Sequence, residues 1–217
     1  MASPSRSQAA DGAGAARGAA VPVTTLSEED LSSAAQRDRR KRILDATLAL
    51  ASKGGYDAVQ MRAVAERADV AVGTLYRYFP SKVHLLVSAL AREFEQFEGR
   101  RKPLPGVTPQ ERMHLLLTQV TRAMQRDPLL TEAMTRAFMF ADASAAAEVD
   151  RVGKVMDRFF ARALAEETPT DRQLAIARVI SDVWLSNLVA WLTRRASATD
   201  VTERLELTVD LLIGGSE

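Results

Sequence analysis

The chain of 217 residues contains no cysteine. That absence removes disulfides, thiolate metal ligands and thiol nucleophiles together, and it fits a reducing cytoplasm. Histidine is nearly as scarce. His84 and His114 are the only two, and neither has metal-ligand spacing to the other or a nucleophile nearby. An enzyme is therefore disfavoured, and no metal or cofactor is expected. Long apolar runs are missing as well. None reads as a bilayer span and the N-terminus lacks an apolar signal core, so the expectation is a cytoplasmic protein with no membrane partner. Neither sign of charge dominates: 29 Lys+Arg against 28 Asp+Glu leave a net charge of +1. Any attraction for a polyanion must then come from a local patch.

Such a patch is present. Arg37, Arg39, Arg40, Lys41 and Arg42 stand together, opposed only by Asp38. Before it, residues 1–33 are rich in Ala, Gly, Ser and Pro and nearly devoid of large apolar side chains, the composition of a mobile arm. That arm either reaches along a nucleic acid or is a dispensable tail. Beyond it the pattern is helical, with no alternating strand signal and no internal repeat, so the expected fold is all-α. Ile43, Thr47 and Leu50 share a face and Gly54-Gly55 ends their helix. Val83 to about Phe97 is a longer helix, and Gly99 to Gly106, with two prolines, is a break. Five helices follow, from Thr108 to about Arg126, Leu129 to about Phe140, about Ser144 to Glu166, Thr170 to about Arg195, and Thr199 to Gly214-Gly215. The first and fourth open on capping boxes. The division expected is an arm (1–33), a small domain (34–82), a connecting helix (83–98) and a larger helical domain (99–217).

Residues 59–82 carry the chemistry. Val59 to Ala68 and Val72 to Phe79 read as two short helices around a tight turn, locked by Ala65, Ala68, Val70, Leu75 and Phe79. Gly73, Thr74, Tyr76, Arg77 and Tyr78 are expected to face outward, suited to phosphates and base edges. A helix-turn-helix of this kind lays its second helix in the major groove of DNA.

The larger domain has surplus apolar surface. The Gln173–Arg195 helix is apolar nearly all round, and the last helix has Val201, Leu205, Val209 and Leu212 on one face. Either a two-fold partner covers them in a four-helix interface through Trp191, Leu205, Val209 and Leu212, or other helices of the chain do. Met113, Leu117, Met124, Leu129, Met134, Phe138, Phe159, Trp184 and Leu188 supply flexible and aromatic side chains that fit a large apolar ligand or an ordinary core. Asn187, one turn from Trp184 and Trp191, is a polar group that packing alone leaves unexplained.

The segment Gly55-Tyr56, Met61-Arg62, Val64-Ala65-Glu66-Arg67-Ala68, Val70 and Gly73-Thr74-Leu75-Tyr76-Arg77-Tyr78-Phe79-Pro80-Ser81-Lys82 closely resembles the TetR family of one-component transcriptional regulators. That resemblance implies three DNA-binding helices, a connecting helix, and a helical domain that binds an effector and forms a homodimer on pseudo-palindromic double-stranded DNA. It implies operator contacts from Arg62, Val72, Gly73, Thr74, Tyr76, Arg77, Tyr78 and Lys82. Arg37, Arg40 and Lys41 are either phosphate contacts or a solvated basic face. His84 is placed at the surface or in contact with DNA, and Arg67 in a surface or ion-pair role. Asp69 stands where the family commonly has Gly, and Gln60 and Ala71 replace usual helix caps. Ala123–Arg126, Pro128–Ala137 and Ala177–Leu188 resemble the branch of the family that represses steroid and cholesterol catabolism. This implies a steroid-derived coenzyme A thioester as effector, its acidic part near Arg158, Arg162 or Arg178. The alternative is another large apolar effector, such as a fatty acyl-CoA.

Overall fold

The computed structural model describes residues 33–100, 107–165 and 167–214. The expected mobile arm, up to residue 32, lies outside the described residues. All regular structure among the described residues is helical, as expected: α1 (Ala34–Ala58), α2 (Met61–Arg67), α3 (Val72–Tyr78), α4 (Lys82–Gly99), α5 (Pro109–Arg126), α6 (Pro128–Met139), a 3₁₀ turn (Ala143–Ala145), α7 (Ala146–Leu164), α8 (Asp171–Leu192) and α9 (Ala198–Ile213).

Side-chain chemistry sets the helix starts. Ser33 with Gln36, Thr108 with Glu111, Thr170 with Gln173 and Ser197 with Asp200 each form a reciprocal capping box, satisfying backbone N–H groups that have no helical partner. The last of these corrects the expected start of α9: Ser197, not Thr199, is the cap. Gln60 and Ala71 cap α2 and α3 with no side-chain bond, so those two short helices depend on packing. In α1, Gly54 and Gly55 break the helical dihedrals without ending the helix, and one more turn carries Tyr56 to Ala58. Gly55 has φ +66° and lies close to Leu129 and Glu132 of α6, so a side chain there would be strained and crowded.

The turn between α2 and α3 is a Schellman motif. The Val70 N–H bonds the Ala65 carbonyl at 3.0 Å and the Asp69 N–H bonds the Glu66 carbonyl at 3.1 Å. Asp69 takes the left-handed conformation with φ 53°, and Arg42 from α1 donates to the Ala68 carbonyl at 2.6 Å. Because Asp carries a Cβ penalty that Gly lacks, Asp69→Gly is expected to stabilise the protein by up to about 1 kcal/mol. That is about 2–4 °C in thermal midpoint by circular dichroism for a chain of this size. An unchanged or lower midpoint would show that Asp69 makes a compensating contact.

The small domain closes around Ile43, Leu44, Val64, Leu75, Phe79, Leu85 and Leu86. The larger one is built on α4, α5, α7 and α8. Phe94 meets Trp184 edge-on at 5.9 Å, Phe160 lies 6.3 Å from Trp184, and Phe97 packs on Phe159 at 5.4 Å. The Trp184 indole N–H reaches the Thr121 hydroxyl at 3.0 Å, so a large aromatic is buried without an orphaned donor. By length and mean hydropathy α8 would pass for a membrane span, contrary to the expectation that no segment would. Its Ala177, Ile180, Trp184 and Leu188 are instead buried against the other helices of the chain.

The two domains are joined side to side, not only through α4. α1 packs along α6, and α4 touches both α6 and α7.

Candidate functional site

Three surfaces matter: the outer face of α3, the apolar space inside the larger domain, and the contacts between them. On α3, Val72 (38% exposed), Gly73, Tyr76 (41%) and Arg77 face solvent, with Thr74 half-buried and Arg62 of α2 exposed beside them. A Cβ added at Gly73 would meet nothing within 4 Å, so nothing inside the protein requires glycine there. Tyr78 departs from expectation. It is 5% exposed, because at 3.6 residues per turn it falls one turn from Leu75 and beside Phe79 on the inner face.

Lys82 is also corrected. Its ammonium donates to the Tyr56 carbonyl at 3.1 Å and sits 3.9 Å from the Tyr56 ring centroid. It therefore joins α4 to α1 and is not a free cation for phosphate. Partial burial lowers its pKa from the ordinary lysine value. His84 lies inside, not at the surface. One ring nitrogen is 2.9 Å from the Ser81 hydroxyl, the other 3.0 Å from the Ser144 carbonyl of the 3₁₀ turn. Of the basic patch, Arg40 covers the Phe79 ring at 5.3 Å and Lys41 pairs with Asp45 at 2.8 Å. An exposed pair of this kind contributes only about 0–1 kcal/mol, so a phosphate can replace Asp45 at little cost.

Tyr56 is the centre of the contact between domains, and sequence reasoning missed it as such. The Arg136 guanidinium covers its ring at 4.4 Å, and its N–H reaches Glu132 at 3.4 Å. Both partners come from α6, about 76 residues away in sequence. Only three-dimensional packing could reveal that pairing.

Inside the larger domain, a cavity of about 110 Å³ lies between α4, α5 and α6, lined by Leu90, Glu93, Phe94, Phe97, Val120, Met124, Leu130, Thr131 and Met134 among others. A smaller one of about 20 Å³ adjoins it, sharing Leu90, Phe94 and Met124 and adding Phe138, Trp184 and Leu188. Of the residues expected at a ligand, Met124, Met134, Phe138, Trp184 and Leu188 line one or both of these cavities. Four other expected residues do not. Met113 and Phe159 are core, Leu129 packs at Gly55 against α1, and Leu117 lines a separate groove between α5 and α9. Asn187 is explained by packing after all: its amide donates to the Val183 carbonyl one turn back at 2.9 Å.

The arginines expected at the mouth are already paired. Arg158 and Arg162 both hold Glu98, and Arg178 holds Asp157. The expected dimer residues need revision too. Leu205 (3% exposed) and Val209 are buried within the protomer, because their stripe on α9 faces α5 and α8. The outward stripe is Leu207 (58%) and Leu211 (72%); Leu212 on the same helix and Trp191 on α8 are half-buried.

A helix-turn-helix with an open second helix, clasped to a larger helical domain, defines a DNA-binding regulator. The family model for bacterial regulatory proteins of the tetR family matches residues 43–89, and that for the tetracyclin repressor-like C-terminal domain matches residues 106–212. The chain belongs to the TetR family. It is 79% identical over 198 residues to the HTH-type transcriptional repressor KstR of Rhodococcus jostii, covering 91% of this chain and 93% of that protein. To KstR of Mycobacterium tuberculosis it is 67% identical over 201 residues, covering 92% and 91%. A crystal structure of a TetR regulator from Rhodococcus sp. RHA1 superposes with TM-score 0.78 at 32% identity, over 85% of this chain and 100% of that one. FadR of Bacillus subtilis in complex with stearoyl-CoA shares the fold, with TM-score 0.56 at 18% identity over 82% and 99%. The chain is therefore a DNA-binding transcriptional repressor, not an enzyme, acting on DNA in the cytoplasm. Repressors of this family act as dimers on operator DNA.

Proposed function

We propose that the protein represses genes of steroid catabolism and leaves its operator on binding a steroid-derived coenzyme A thioester. High identity that extends through the effector half is the observation that carries this reading, because that half contains the cavity. The chain's resemblance to the steroid branch of the family points the same way.

On the DNA side, Arg62, Val72, Gly73, Thr74, Tyr76 and Arg77 enter the major groove. Arg40 and Lys41 track phosphates, and a two-fold dimer places two such helices about 34–36 Å apart or a multiple of that. On the effector side, the two cavities together fall short of the roughly 300–1,000 Å³ that ligand pockets usually provide. The ligand must therefore part the helices, with Met124, which lines both cavities, as the adaptable wall. α6 is common to both events. Its Thr131 and Met134 line the cavity, while its Leu129, Glu132 and Arg136 hold Gly55 and Tyr56. Displacing α6 shifts the DNA-binding helices, and the ligand acts to the extent that it binds the displaced arrangement better.

A titration of fluorescently labelled promoter DNA tests both halves. Gly73→Ala should strengthen α3 by up to about 1 kcal/mol, Ala being the better helix former, yet weaken operator binding because the added methyl obstructs the groove. Undiminished affinity would remove Gly73 from the interface. Addition of a cholesterol-derived thioester should release the DNA. Release by palmitoyl-CoA alone would favour a fatty acyl effector.

A further inference from the structure

One cation of the basic patch shares its acid with a largely buried arginine. Lys41 and Asp45 stand one turn apart on α1, and Arg92 reaches them from α4. The carboxylate is divided between them: Oδ2 takes the Lys41 ammonium at 2.8 Å and Oδ1 the Arg92 guanidinium at 2.8 Å. A second Arg92 nitrogen donates to the Lys41 carbonyl at 3.2 Å, so the same side chain also holds the turn of α1 that carries the lysine. Exposure is unequal. The Lys41 side chain is 70% exposed and Asp45 48%, but Arg92 only 14%. Lys41 can therefore swing away at little cost, whereas Arg92, mostly enclosed, stays on the acid. Burial works against the Asp45 charge, but the hydrogen bonds and charges of Lys41 and Arg92 outweigh it and hold the carboxyl below the ordinary carboxylate range.

We infer that Arg92 sets the strength of the Lys41 contact with operator phosphate by neutralising Asp45 when the lysine leaves it. This inference rests on the reading of Lys41 as a phosphate contact. Moving Lys41 onto a phosphate strips Asp45 of its lysine and sets it near a second anion. A bare carboxylate there would repel the phosphate and draw the lysine back. Arg92 removes that obstacle, because its charge remains on Oδ1 and its other bond remains on the Lys41 carbonyl. It need not touch DNA to do so, and is therefore a positioning residue. The tie comes from the helix whose Leu90 and Phe94 line the larger cavity, and it is separate from the Tyr56 contacts.

The test titrates operator DNA at several salt concentrations with the native protein, Lys41→Ala, Arg92→Met and the double variant, each checked for folding by circular dichroism. In a dimer with two such contacts, Lys41→Ala should lower the log–log salt slope by about 1.8, at about 0.9 per phosphate. Extrapolated from 1 M salt, that is a loss of about 30-fold in affinity at 0.15 M. Arg92→Met should forfeit much of the same contact, about tenfold. Added to Lys41→Ala it should cost less than about twofold, because the contact it serves is already gone. Losses that multiply would show that Arg92 acts through the fold or through its charge at a distance, and would overturn the inference. Asp45→Ala makes the comparison from the acid side. It should tighten binding, and Arg92→Met added to it should again cost less than about twofold; a full tenfold loss there would also overturn the inference. Arg92→Gln keeps a hydrogen-bond donor without the charge, should lose affinity as Arg92→Met does, and replaces it if the Met variant does not fold. Arg92→Lys, which returns a cation to Asp45, should recover most of the loss. An unchanged salt slope in Lys41→Ala would instead take Lys41 off the phosphates, and the inference would fall with that reading.

Discussion

Charging the outer stripe of α9 with Leu207→Asp and Leu211→Asp should turn the dimer into a monomer that still folds. Both side chains are exposed in the protomer, so the carboxylates cost little there. In an apolar two-fold interface each substitution would bury an unpaired charge, at about 3–5 kcal/mol. Even one such penalty raises the dimer dissociation constant by at least about 100-fold. Operator affinity should fall with it, because a monomer occupies one half-site. Sedimentation velocity and circular dichroism together decide the matter. A folded variant that remains dimeric at low micromolar concentration would move the interface to another surface. Leu205→Asp should behave differently: with its side chain inside the protomer, the same charge should unfold the domain, not divide the dimer.

The second large effect is expected at Trp184. Truncation to Ala removes the ring that meets Phe94 and Phe160 and leaves the Thr121 hydroxyl without its indole donor. Core truncations of this size cost about 3–5 kcal/mol, which corresponds to a fall of about 10 °C in thermal midpoint. Trp184→Phe should cost less, since it keeps a ring against Phe94 and Phe160 and loses only the smaller indole ring with its hydrogen bond to Thr121. Calorimetry of the three proteins would show the order. A Trp184→Ala midpoint within about 2 °C of the native value, where the truncation should cost several times that, would mean that the aromatic group is not what holds α4, α7 and α8 together.

The contrast between Leu205 and Leu207 shows what the sequence could and could not disclose. Periodicity identified an apolar stripe on α9 but not whether it meets its own chain or a partner. The longer stripe of Val201, Leu205 and Val209 went to the core, and the shorter one stayed outside. Tyr78 was misplaced for a related reason: on a two-turn helix, one residue of phase decides between groove and core. The all-helical fold, the left-handed Asp69 and the capping boxes of α5 and α8 were legible because each is local chemistry. Lys82 on Tyr56, His84 on Ser144 and Arg136 on Tyr56 were not, since their partners lie 26 to 80 residues away.

Asp127 ends α5 and caps α6 at once, so the two helices meet at a single residue with no connecting loop. That joint leaves no slack for length variation. One residue inserted there would turn α6 by about 100°, swinging Glu132 and Arg136 off Tyr56 and Met134 out of the cavity together. The reader of the effector and the grip on the DNA-binding half are therefore inherited as one part, which evolution can retouch side chain by side chain but cannot lengthen.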